Sequence, residues 1–147
     1  MSDRPATGIA GVLESALYAE DLDRAEAFYA GILGLEPITR AEGRHVFFRC
    51  GDGVVLVFDP RSTTVPPSDP KWPVPPHGAI GSGHLCFRAS SAEMDGWVTH
   101  LTANDIEIEA DFRWPNGGRS IYFRDPAGNS LEFAEPSIWG LAAEDIQ

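Results

Sequence analysis

Two glutamates and a histidine, Glu14, His84 and Glu132, stand out as groups that could do chemistry, each set in a stretch that alternates apolar and polar residues. In Ser130-Leu131-Glu132-Phe133-Ala134 the period of two in a strand puts Leu131 and Phe133 on one face and Ser130, Glu132 and Ala134 on the other. A carboxylate between two small residues suits a cavity wall, and equally a half-exposed strand. Around Glu14 the residues Leu13, Ser15 and Leu17 alternate against Glu14, Ala16 and Tyr18, so this acid too leaves the apolar-leaning face. The segment Gly83-His84-Leu85-Cys86-Phe87-Arg88-Ala89 sets His84, Cys86 and Arg88 together. Imidazole nitrogen and carboxylate oxygen are donors that Mn, Fe(II), Ni or Zn accept.

The elements that must position these groups are readable in order. A strand over Val12 to Tyr18 is followed by Asp21 at a helix N-cap, with Leu22, Ala25, Phe28, Tyr29, Ile32 and Leu33 at helical spacing up to Gly34. Leu35 to Arg40, His45 to Cys50 and Val54 to Phe58 read as strands, the last two joined at Gly51-Asp52-Gly53. From Asp59 to Gly83 seven prolines break the chain, so no regular element is expected there; a loop of that length tends to be functional or mobile, and Trp72 and His77 suit one that covers something. After the His84 strand, Ser90 and Glu93 form a capping box for a helix to about Asn104, with Met94, Trp97, Val98 and Leu101 as its apolar stripe. Ile106 to Ala110, Ser120 to Arg124 and Ser130 to Ala134 give three more strands, the last two a hairpin about Asp125-Pro126-Ala127-Gly128-Asn129. His45 and His100 read as surface positions.

Length and composition bound the rest. A chain of 147 residues, 43% apolar and 22% charged, has the make-up of one ordinary globular domain. No apolar run approaches the ~20 residues that span a bilayer, and the N-terminus lacks a basic region feeding an apolar one, so a soluble, cytoplasmic chain is expected. A net charge of -11 repels phosphate backbones and anionic lipid, which argues against nucleic-acid and membrane partners. Cys50 and Cys86 have no CxxC spacing and read as structural thiols without a redox role.

Both halves read βαβββ. An offset of 70 residues (84 − 14) lays Glu14 on His84, and one of 76 (132 − 56) lays Leu56 on Glu132. With this order, the stretches Ala19-Glu20-Asp21-Leu22-Asp23-Arg24-Ala25-Glu26-Ala27-Phe28-Tyr29, Leu33-Gly34-Leu35, Gly83 to Phe87 and Phe123 to Phe133 make the sequence, over about Ile9 to Pro136, resemble the vicinal oxygen chelate superfamily. That superfamily holds glyoxalase I, extradiol dioxygenases, fosfomycin-resistance enzymes and bleomycin-binding proteins. The resemblance implies an α+β fold of two tandem βαβββ modules forming a curved, half-barrel mixed sheet around one cavity. On this reading residues 1–147 form one glyoxalase-like domain: a module over 9–60, a Pro-rich linker over 61–82, a second module over 83–136 and a tail over 137–147. The apolar Ile138, Trp139 and Leu141 of that tail cover either a partner or the chain's own sheet.

The resemblance also implies divalent-metal ligands at Glu14, His84 and Glu132, Glu132 serving besides as the catalytic carboxylate. The family's usual residue at the Glu14 position is histidine, and Leu56 stands where glyoxalase-like members carry a fourth ligand. A three-ligand site, open to substrate oxygens and water, is the expectation. Two ionised carboxylates ~4 Å apart at an effective dielectric of ~20 would repel by about 4 kcal/mol, which a cation relieves if the fold brings them together. Tyr18, Arg88 and His77, with Trp72 and Trp114, are candidates to line the substrate pocket; Arg88 either binds a substrate carboxylate or pairs with an acid. The resemblance leaves two readings. One is a metal-dependent lyase or dioxygenase acting on an oxygen-rich small molecule; the other is a metal-free binding protein of the bleomycin-sequestering type, which an acidic surface suits through a cationic ligand. A homodimer is implied in both.

Overall fold

The structure, a computed structural model, describes residues 7–142, so the first six residues and the end of the expected tail, 143–147, lie outside it. The strands are β1 (Glu14–Tyr18), β2 (Glu36–Ala41), β3 (His45–Cys50), β4 (Gly53–Phe58), β5 (His84–Arg88), β6 (Ala110–Arg113), β7 (Arg119–Arg124) and β8 (Ser130–Ala134). They form two mixed four-stranded sheets, ordered β1-β4-β3-β2 and β5-β8-β7-β6. In each sheet the first strand lies parallel to the last, and the other neighbours are antiparallel. The sequence repeat is therefore a repeat of architecture, and neither sheet closes into a barrel.

Helix α1 (Leu22–Glu26) starts where Asp21 accepts the Arg24 backbone N–H at 3.0 Å. The apolar spacing predicts one α-helix as far as Leu33, but residues Ala27–Ile32 wind as a wider π-helix, closed by the Leu33 N–H donating to Phe28 O. Helix α3 (Ser91–Ala103) begins in the expected capping box: Glu93 N–H donates to Ser90 Oγ and Ser90 N–H to Glu93 Oε1.

Two expectations are corrected. A short helix, α2 (Pro60–Thr63), forms inside the proline-rich stretch, because Pro60 occupies a first turn that needs no donor and Asp59 accepts the Arg61 N–H. Strand β6 begins at Ala110, not Ile106: Ile106 and Ile108 pack half-buried against the core, so their alternation reflects contact with the core and not a ladder.

The sheets share one core. Val46, Phe48, Val55, Val57 and Leu17 of the first join Ile121, Phe123, Leu131 and Phe133 of the second, with Phe28 and Tyr29 bridging them. Phe28 lies 6.4 Å from Phe123 and Tyr29 5.6 Å from Phe48, while Trp97 of α3 stacks on Phe133 at 4.8 Å. Burying such a side chain contributes roughly 1.5–3 kcal/mol. Because Leu131 and Phe133 belong to this core, Glu132 is turned to the opposite face of β8.

The described start of the tail touches its own chain at Ser137 and Ile138. Its single turn Pro136–Trp139 lies over the β6–β7 connection, where Asn116 Nδ2 donates to Ser137 O and Ile138 O. Gly118 is part of that contact: a Cβ there would stand 2.5 Å from Ile138 Cγ2. Trp139 stays exposed.

A buried polar network joins the modules. Tyr29 donates its hydroxyl to Asp125 Oδ2 at 2.6 Å, Asn129 Nδ2 donates to the same oxygen and to Tyr18 O, and Gly83 N–H donates to Asn129 Oδ1. Replacing Tyr29→Phe leaves the core ring in place and removes one donor, and is expected to lower the unfolding free energy by about 1–3 kcal/mol in urea denaturation. Burial first, then Asp125, holds the Tyr29 hydroxyl far above its ordinary 10.0. Above pH 10.0 the unfolded chain therefore loses a proton that the folded chain keeps, and stability falls as pH rises. In Tyr29→Phe this alkaline decline should be shallower.

Candidate functional site

The face of the second sheet turned away from the core carries the chemistry. Its register sets Cys86, Glu132 and Tyr122 in one row across β5, β8 and β7, with His84, Ser130 and Arg124 on one side and Arg88, Ala134 and Ser120 on the other. Glu132 is only 5% exposed. Its Oε2 accepts the Ser120 hydroxyl at 2.6 Å, and the oxygen of that fully buried serine accepts the Trp114 indole N–H at 2.8 Å. The other oxygen, Oε1, stands 3.3 Å from His84 Nε2.

The imidazole's other nitrogen settles what this pair requires. His84 Nδ1 lies 2.9 Å from Ser130 O, and a carbonyl oxygen only accepts, so Nδ1 carries the hydrogen. In the neutral ring Nε2 then presents a lone pair to a carboxylate oxygen. Two acceptors at that separation call for a proton between them, on the ring or on the carboxyl, or for a cation shared by both groups. Burial, and behind it the charge of Glu132, pushes the Cys86 thiol and the Tyr122 hydroxyl each up to about 12. Both stay protonated at neutral pH, although Cys86 as a residue is exposed, so neither adds negative charge beside Glu132. Cys50 and Cys86 are both free thiols.

The structure brings together two of the three expected donors. His84 and Glu132 are brought together; Glu14 begins β1 of the other sheet, exposed, opposite Val54. Among the described residues no group of three or more His, Cys, Asp or Glu is placed to hold a metal ion. Leu56, at the position equivalent to Glu132, is a buried apolar neighbour of Ala16.

The candidate pocket residues divide between places. Arg88 and Cys86 line a cavity of about 700 Å³ along the seam of the sheets, with Leu13, Ser15 and Val54 opposite. Tyr18 lines a separate cavity of about 510 Å³ with Arg24, Ile80 and the turn Asp125 to Gly128. His77 is outside its lining; its Nδ1 lies 2.7 Å from the Tyr18 hydroxyl, and it packs edge-on to Phe58 at 4.6 Å. Trp72 is exposed in the proline-rich stretch. His45 is not the surface residue expected: it stacks on Phe47 at 3.9 Å, and desolvation lowers its pKa. His100 is exposed as expected, bonded to Ile32 O. Sequence reasoning missed Ser120 and Tyr122, yet counting back from the Asp125–Asn129 turn along the hairpin pairs Tyr122 with Glu132. Trp114, named from the sequence as a candidate pocket residue, arrives from the loop before β7 and bonds Ser120.

Comparison with known proteins agrees with this architecture. The model of the family described as Glyoxalase/Bleomycin resistance protein/Dioxygenase superfamily matches residues 11–133. A lactoylglutathione lyase from Agrobacterium tumefaciens is 47% identical, covering 91% of this chain and 99% of its own, with a TM-score of 0.85. A glyoxalase/dioxygenase from Nostoc punctiforme is 26% identical over 91% of this chain and 96% of its own, at a TM-score of 0.65. A glyoxalase/bleomycin resistance protein/dioxygenase from Nocardioides, 24% identical over 92% of this chain and 85% of its own at a TM-score of 0.67, shares the fold. No curated protein matches the sequence. The family model spans most of the chain, and the chain belongs to the glyoxalase/bleomycin resistance protein/dioxygenase superfamily.

Proposed function

We propose that this chain is a divalent-metal-dependent lyase of the glyoxalase type, acting in the cytoplasm on a small organic molecule held through adjacent oxygens. The observation that carries the reading is His84 Nε2 set 3.3 Å from Glu132 Oε1 while Nδ1 is committed to Ser130 O. The 47% identity to a protein named lactoylglutathione lyase favours lyase chemistry and makes lactoylglutathione the first compound to test.

In this reading His84 Nε2 and Glu132 Oε1 hold the ion, and Glu14 is the third donor, contributed by a second copy of the chain in a homodimer. The exposed Ile9, Val12 and Leu13 beside Glu14 give that copy an apolar surface to cover. A bound Mn, Fe(II), Ni or Zn supplies a Lewis acid that polarises adjacent substrate oxygens. Glu132 is the carboxylate placed to accept a proton from the substrate, and Ser120 keeps its second oxygen occupied. The cavity beside Cys86 takes the substrate, with Arg88 at its wall. Tyr18 lines the separate cavity, with His77 bonded to its hydroxyl. Leu56 leaves a fourth ligand position empty, which keeps the site open to substrate and water.

The test is calorimetric titration with Mn, Ni, Zn and Fe(II). The native chain is expected to bind one of them, with affinity falling at least about tenfold in Glu132→Ala and in His84→Ala. Saturation at about 100 times the dissociation constant should add roughly 2.7 kcal/mol of stability, read as a higher melting temperature. Equal binding by Glu132→Ala and the native chain would end the metal reading; a thermal shift with a cationic glycopeptide and with no metal would replace it by sequestration. For the shared site, Glu14→Ala and His84→Ala should each bind poorly, and mixing the two after subunit exchange should restore binding in mixed dimers. A mixture that stays silent refutes the contribution from a second copy.

A further inference from the structure

We infer that Ser120 and Trp114 are positioning residues for Glu132, a relay that fixes which carboxylate oxygen faces the ligand; the link to metal binding rests on the function proposed above. The polarity of the relay follows from its chemistry. An indole N–H only donates, so the Trp114 bond at 2.8 Å occupies a Ser120 lone pair. The single Ser120 hydrogen then goes to Glu132 Oε2 at 2.6 Å, and an ionised carboxylate only accepts. No reversed arrangement satisfies all three groups. Oε2 is held by Ser120 and Oε1 faces His84 Nε2, with the Cys86 thiol and the Tyr122 hydroxyl also bonded to the carboxylate.

The surroundings are built to hold Trp114 in place. Its backbone closes the turn before β7, Trp114 N–H donating to Gly118 O and Gly117 N–H to Trp114 O, both at 2.8 Å. Phe112 packs against its ring at 4.8 Å. The tail buttresses the same turn through Asn116 and through Ile138 over Gly118. This gives the Pro115-Asn116-Gly117-Gly118 turn and the tail one shared task. Ser120 itself is fully buried between strands and cannot take a replacement donor from water.

The test uses Ser120→Ala, Ser120→Thr and Trp114→Phe, with Glu132→Ala as reference, each first shown by urea denaturation to be folded. Crystal structures of the metal-free variants read the positioning directly: the Glu132 carboxylate should rotate away in Ser120→Ala and keep its place in Ser120→Thr. In Trp114→Phe, which keeps an aromatic ring, the Ser120 hydroxyl loses its fixed direction and the carboxylate should adopt more than one orientation. Metal affinity by calorimetry should fall roughly ten- to a hundredfold in Ser120→Ala, the range for ligand-supporting partners, with Ser120→Thr near the native value. A Glu132 carboxylate unmoved in both Ser120→Ala and Trp114→Phe overturns the inference whatever binds there. Native affinity in Ser120→Ala, with affinity lost in Glu132→Ala, overturns it while leaving the metal reading intact. Equal affinity in the native chain and Glu132→Ala overturns the metal reading, and the carboxylate orientation then decides the positioning alone.

Discussion

The Asp125 carboxylate is the point on which the two modules depend. Its Oδ1 accepts the backbone N–H groups of Ala127 and Asn129, which folds the β7–β8 turn, and its Oδ2 accepts Tyr29 from the helical segment of the other module. Asn129, equally buried, reaches the end of β1 through Tyr18 O and the start of β5 through Gly83. Four segments remote in sequence thus meet in one network with every group satisfied, the condition under which buried polar groups favour a single arrangement. The consequence reaches the site. The turn fixes the hairpin register that puts Tyr122 opposite Glu132, and the Gly83 bond fixes where β5 begins, hence where His84 stands.

From that register the electrostatics of the site follow. Glu132 has one oxygen bonded by the Ser120 hydroxyl and one facing the His84 imidazole, with two protonated neighbours, Cys86 and Tyr122, bonded to the carboxylate and adding no charge. The basic residues nearby are occupied elsewhere: Arg124 pairs with Glu109, and Arg119 is shared by Asp95 and Asp111. Neither of these two guanidinium groups is spent on Glu132. In a chain of net charge -11 this is an asset, because the surrounding field attracts positive ions toward the site.

Much of this was legible in the amino-acid order, and the parts that were not share a physical reason. Period-two alternation turned Glu132 away from Leu131 and Phe133, and the capping signals at Asp21 and Ser90-Glu93 placed both helix starts, since both depend on neighbours along the chain. The π-helical winding after Glu26, the late start of β6 and the helix at Pro60 were missed, because each is decided by what packs or caps against it. His45 illustrates the same limit: its stacking on Phe47 depends on sheet curvature that alternation does not encode. The repeat correctly matched Glu14 with His84 as equivalent strand starts. Equivalence under a repeat is nevertheless not proximity, and within the chain only His84 and Glu132 meet.

Under the proposed function these two side chains, joined by the hairpin register, would form a seat for a divalent cation. Anomalous diffraction from crystals soaked in Mn tests it most directly. The account predicts a peak between His84 Nε2 and Glu132 Oε1, within coordination distance of both. Crystals fully exposed to Mn that show no peak there, or place it away from both side chains, would contradict it.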